Sequence, residues 1–127
     1  PGPPRAPHRR RPVELGARAG GDLDPEQAPG LFYNDCPPET VEYAMARLCP
    51  QPILPQRTPI EVGEHFDSVA KYYIRCTDDR TIPPAYQAEM ASVFPKSHVF
   101  DMATGHSPFF ADPKGLAALL DRIAGAA

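Results

Sequence analysis

The spacing of hydrophobic and polar positions changes along the chain, and each change marks an element. At Asp24-Pro25 the pattern offers a helix cap with proline in the first helical position, so DPEQAPGLFY reads as a short helical turn interrupted at Pro29-Gly30. Val41, Ala44, Met45 and Leu48 recur at i, i+3, i+4 and i+7, the spacing of one helical face, which predicts a helix over 37–48 with Pro50 as its stop. Residues 50–60, PQPILPQRTPI, hold four prolines, each without a backbone donor, and are expected to run as an extended connector. VAKYYIRC, 69–76, is rich in β-branched and aromatic residues and predicts a strand. After the turn TDDRTIPP, the residues Ala85, Tyr86, Ala88, Met90, Ala91 and Val93 fall in a helical pattern over 84–94, closed by Pro95. SHVFDM, 97–102, predicts a second strand. Beyond the loop ATGHSPFF, Asp112 caps a helix that opens on Pro113 and carries Leu116, Leu119, Leu120 and Ile123 as an apolar stripe.

From residue 69 onward the order is strand, loop, helix, strand, loop, helix. That alternation predicts an α/β protein with a parallel sheet, because crossover helices let neighbouring strands run the same way. Two parallel strands do not make a viable core alone. Further strands are expected on the N-terminal side, and the edge left exposed without them is a site for self-association.

Composition narrows this picture. A chain of 127 residues with 42% hydrophobic content and a net charge of −3 fits one domain. No run approaches the roughly 18 apolar residues of a membrane span, and the start lacks the apolar centre of a signal peptide, so a cytoplasmic protein without a membrane partner is expected. Seven of the 18 prolines and five of the nine glycines fall in residues 1–30. With Arg5, Arg9, Arg10, Arg11 and Arg18 against Glu14 in 1–21, residues 1–23 read as a disordered tail rich in proline, arginine and glycine. A nucleic-acid-binding arm has a similar charge, but no aromatic residue interleaves these arginines and no binding module follows, so no nucleic-acid partner is expected. Cys36, Cys49 and Cys76 are odd in number and lack C-x-x-C spacing, which predicts reduced thiols and neither a disulfide framework nor a zinc site.

In open α/β sheets reactive groups gather beyond the carboxyl ends of the strands. Asp78 and Asp79 follow the first strand there and His106 follows the second. Adjacent parallel strands bring those loops together, so a carboxylate could accept the Nδ1 hydrogen of His106 and leave the other nitrogen as a base. Plainer readings stand beside this one: both aspartates as turn residues, His106 as a helix cap or backbone partner, His65 and His98 as ordinary surface or strand histidines. A metal site from Asp79, His106 and a cysteine is disfavoured, since Cys76 lies within the strand and no second histidine stands at ligand spacing. Phe109 and Phe110 read as packing under the final helix, with an acyl pocket as the other reading.

Here a resemblance becomes specific. YYIRCTDDRTIPPAYQAEM and VFDMATGHSPFFADPKGLAALLDRIA resemble the acid-bearing strand and turn, the final strand, the histidine loop and the closing helix of the α/β-hydrolase family. The branch they resemble is that of small esterases, methylesterases and hydroxynitrile lyases. The resemblance implies that 59–127 is the C-terminal portion of the hydrolase core, and that 24–58 is a cap-like helical segment with a Pro-rich connector. It puts Asp79, the last acidic residue before Ile82-Pro83, in the place of the triad acid and His106 in that of the general base, with no cofactor and no metal. The family's serine stands in a G-x-S-x-G elbow ahead of the acid in chain order. None of the four serines here, Ser68, Ser92, Ser97 and Ser107, has that flanking, so the nucleophile-bearing half is missing. Lyases of this branch carry lysine directly after the histidine; Ser107 there implies hydrolysis. The expected function is therefore the C-terminal portion of a carboxylesterase-like serine hydrolase acting on a small ester. The alternative is a non-catalytic truncated remnant that serves as a binding or interaction module.

Overall fold

Residues 24–52 and 54–126 are described by a computed structural model. The opening 1–23, expected as a disordered tail, lies outside the described residues. Asp24 accepts the Glu26 N–H at 3.0 Å and opens a turn that leads into helix α1, Ala28–Phe32. The expected interruption at Pro29-Gly30 is absent. Pro29 falls in the first turn of α1, where its missing N–H leaves no helical acceptor unmet. Helix α2, Pro38–Met45, opens on proline with Glu39 in its first turn, a favourable position for negative charge.

The expected extended connector is broken by a helical turn, α3, Leu54–Arg57, with Pro55 again near the start, where it is tolerated. A short helix α4, Glu64–Ser68, follows; its five residues are too few to show a period in the sequence. The first strand, β1, is Tyr73–Cys76, shorter than the predicted 69–76; ahead of it the Lys71 ammonium donates to the carbonyls of Asp67 and Val69.

Helix α5, Pro84–Ala91, crosses over and leads through a single 3-10 turn, Lys96–His98, into β2, Val99–Met102. β1 and β2 pair in parallel, Tyr73 with Val99 and Cys76 with Met102, and among the described residues the sheet has these two strands. Two contacts mark the register. Arg75 and Asp101 stand opposite each other and form a two-pronged ion pair, Nε to Oδ1 and Nη2 to Oδ2 both at 2.6 Å, which holds the Asp101 carboxyl below its ordinary range. Ahead of the strands, His98 stacks on Tyr72 and its Nδ1 meets the Lys71 carbonyl at 3.0 Å, a structural role in keeping with an ordinary histidine.

Helix α6, Pro108–Ala111, lies in what the pattern leaves as loop, and α7, Pro113–Ala126, closes the chain. Asp112 caps α7 as expected, accepting the Gly115 N–H at 2.9 Å. Leu119 and Ile123 of the predicted stripe are buried, while Leu120 is exposed. The core lies at the carboxyl ends of the strands: Cys76 and Met102, with Ala91 of α5, Leu119 and Ile123 of α7, and Ala28, Tyr33 and Ala44 from the N-terminal helices.

Candidate active site

The ladder between the strands does not stop where they end. Thr77 N–H donates to the Met102 carbonyl and Asp78 N–H to the Thr104 carbonyl, both at 3.0 Å, so the loop after β1 and the loop after β2 leave the sheet side by side. One residue later on the first loop is Asp79; two residues later on the second is His106. The imidazole Nδ1 lies 3.0 and 3.2 Å from the two carboxylate oxygens of Asp79. The structure thus brings together the two residues singled out from the sequence. Asp78 is exposed and takes part through its backbone, the turn role expected for it.

Asp79 is 6% exposed and crowded with donors. Its Oδ1 accepts the backbone N–H groups of Thr81 (2.7 Å) and Ile82 (2.9 Å), and its Oδ2 accepts Nε2–H of Gln87 (3.0 Å). Burial pushes the carboxyl pKa up, but the bond from His106, the N–H groups of Ile82 and Thr81 and the charge of an imidazolium together outweigh it. The group therefore sits below its ordinary value of 3.8. An ionised Asp79 can only accept, so Nδ1 carries the hydrogen and the neutral ring keeps its lone pair on Nε2. Phe32 lies against the ring, centroids 5.2 Å apart. The arrangement is that of an oriented general base: one nitrogen tethered, the other left to exchange a proton with a reacting group.

Gln87 is the residue the sequence did not disclose. It is 3% exposed on α5. Its Oε1 accepts the Cys76 N–H at 2.8 Å, and its Nε2 donates to the carbonyls of Ile82 (2.8 Å) and Cys76 (3.2 Å) as well as to Asp79. One amide thus holds the end of β1, the turn and the acid together. The helical pattern over 84–94 gave weight to its apolar positions and none to a buried amide. An amide at helical spacing from Pro84, Met90 and Ala91, an otherwise apolar set, was the available signal.

The other candidates fall away from the pair. Ser68 and Ser92 give their hydroxyls to the carbonyls of His65 and Glu89, and Ser97 is exposed. Ser107 is buried beside the histidine, and among the described residues no serine is hydrogen-bonded to the ring. Burial pushes the Cys36 and Cys76 thiols up, with added repulsion from Asp35 at Cys36 and from Asp79 and Asp35 at Cys76, which disfavours a thiolate at either. Among the described residues no group of three or more histidine, cysteine or carboxylate side chains gathers as a metal site. Phe110 packs on Tyr33 and Tyr43, but Phe109 is exposed, contrary to the packing expected of it.

Known proteins can be set beside this geometry. The sequence profile of the Alpha/beta hydrolase family matches residues 1–119. Methylesterase 17 of Arabidopsis thaliana is 32% identical over 108 residues, 80% of this chain and 39% of the relative. The protein named putative methylesterase 11, chloroplastic, of the same plant is 30% identical over 105 residues, 81% of this chain and 27% of the relative. Among solved structures, a pyrethroid hydrolase from Sphingobium faniae JZ-2 superposes with a TM-score of 0.68 at 27% identity, covering 80% of this chain and 40% of that one. An Arabidopsis methylesterase reaches 0.74 over 86% of this chain and, at 23% identity, shares the fold. This chain spans less than half the length of each of these proteins, from 27 to 48%.

Proposed function

Because this chain belongs to the alpha/beta hydrolase family, we propose that it supplies the acid and the base of an esterase-type serine hydrolase, in which Asp79 orients His106 and His106 moves the proton. The observation that carries this reading is the buried Asp79, ionised and bonded to Nδ1 of a histidine on the neighbouring strand's loop. The reaction follows from that tautomer. His106 Nε2 takes the proton of a serine hydroxyl as the oxygen attacks an ester carbonyl, and returns it to the departing alkoxide. In the second half it takes a proton from water, which attacks the acyl-enzyme, and returns it to the serine. Asp79 stays ionised throughout and stabilises the imidazolium. The serine comes from polypeptide outside these 127 residues, in keeping with the small share of its relatives that the chain spans. The names of those relatives, methylesterases and a pyrethroid hydrolase, support small carboxylic esters as the substrate class.

The test uses the longest natural polypeptide that carries this sequence, with a p-nitrophenyl ester as substrate. His106→Ala is expected to lower kcat by about three orders of magnitude or more, and Asp79→Asn by a comparable factor, because the asparagine amide turns the ring to the wrong tautomer. Full turnover by His106→Ala removes the reading. A second reading draws on the fact that among the described residues none of the four serines is hydrogen-bonded to the ring: the chain serves as a non-catalytic binding module. It requires that a fluorophosphonate probe label no serine of that polypeptide; labelling excludes it.

A further inference from the structure

The segment between α1 and α2 reaches both loops that carry the acid and the base. Asn34 Nδ2 donates to the Asp78 carbonyl at 3.2 Å, one residue before the acid. Asp35 Oδ2 accepts the Gly105 N–H at 2.6 Å, one residue before the histidine. Leu31 adds a third tie, its carbonyl taking the Thr81 hydroxyl at 2.8 Å just beyond the acid. Contact at Gly105 is so close that a Cβ there would lie 2.6 Å from Asp35 Oδ1 and closer still to Asn34 Oδ1. Strand pairing holds the two loops in step only as far as Asp78 and Thr104. Beyond that point the Asn34-Asp35 corner spans them.

We propose that Asn34 and Asp35 are positioning residues, which fix the separation of the Asp78-Asp79 turn and the Gly105-His106 loop and thereby the aim of His106 Nε2. The catalytic side of this inference rests on the hydrolase reading above; the geometric side does not. The Asp35 bond is charge-assisted and therefore short and directional. It crosses 70 residues of sequence, so it exists only while the N-terminal helical segment is docked on the strand ends. Glycine at 105 follows from the same contact, since any side chain would push the loop off the corner.

The test again uses the longest natural polypeptide carrying the sequence. Asp35→Ala is expected to lower kcat by about 10- to 100-fold with KM nearly unchanged, the size of effect that a misplaced base gives. Asp35→Asn keeps an oxygen for the Gly105 N–H and is expected to retain most of the rate. The second readout is the NMR signal of the His106 Nδ1 proton, which reports the bond to Asp79 without reference to turnover: Asp35→Ala weakens or shifts it, and Asp35→Asn does not. Gly105→Ala, approached from the other side of the contact, is expected to reproduce both effects and stands in if Asp35→Ala fails to fold. Unchanged kcat and an unchanged Nδ1 proton signal in Asp35→Ala overturn the proposal, as does an equal loss in Asp35→Asn, which would make charge and not geometry the cause. If His106→Ala leaves turnover intact, the hydrolase reading fails while the NMR signal still decides whether the corner positions the ring.

Discussion

Asp79 joins stability to chemistry in one side chain. Its folded pKa is depressed, so around pH 3 to 4 the folded state holds fewer protons than the unfolded chain, and stability rises with pH there. That contribution is present above the ordinary carboxylate value of 3.8 and is lost as pH falls through the lower folded value. Asp79→Asn is therefore expected to unfold at lower urea than the parent at pH 7, by about 1–3 kcal/mol for the charge-assisted bonds it gives up, with the gap closing below pH 3.8. Urea titrations at pH 7 and pH 3 check this; a gap that is the same at both would mean that the carboxylate's charge is not what the four donors hold. The choice of Asp79 over Asp78 came from the resemblance to the hydrolase family, whereas the meeting of an aspartate after the first strand with His106 was legible from the order of strands and loops. The donors that tune Asp79 were not, since Thr81, Ile82 and Gln87 act through a turn and a rotamer that no spacing rule encodes.

At the scale of elements, helix α5 is the instructive case. The apolar pattern over 84–94 predicts the helix, yet Tyr86, Met90 and Val93 are exposed and the buried positions are Ala91 and the polar Gln87. The reason lies in the strand it covers. Thr77 N–H turns toward β2, so by the alternation of a parallel ladder the backbone polar groups of Cys76 turn the other way, to an edge with no strand beside it among the described residues. A buried N–H and C=O there need partners, and the Gln87 amide supplies both, standing in for the peptide group of a neighbouring strand. Gln87→Met, similar in size and without polar hydrogens, is expected to cost about 1–3 kcal/mol through the unpaired Cys76 N–H, the carbonyl keeping its 3.4 Å bond from the Asp79 N–H. It is also expected to lower kcat by loosening Asp79. Circular dichroism melts and turnover measured on the same variant check both; loss of neither would detach α5 from the site. β2 and α7 were readable because their signals, a short β-prone run and a capped apolar stripe, are local. Helices α3 and α4 were not, being one turn each and masked by proline and charge.

At the scale of the whole molecule, the described residues expose more apolar surface than their elements cover. Ile60, Leu54 and Val93 are 83, 73 and 79% exposed, and among the described residues no large side chain is completely buried. Parallel strands ordinarily have both faces and both neighbours covered, and two strands give too little area for an independent core. The 127 residues expressed alone are therefore expected to bind a hydrophobic dye such as ANS and to sediment above 13.9 kDa with a concentration-dependent mass, since an open edge beside exposed apolar groups recruits a second chain. A monomer with a sharp two-state transition would show instead that the small buried set around Cys76, Met102, Leu119 and Ile123 suffices. The longest natural polypeptide that carries the sequence provides the control. If it covers β1 and the outer face of α5, dye binding and self-association disappear together, and on the proposed reading the Asp79–His106 pair gains both a dry wall and a hydroxyl to activate.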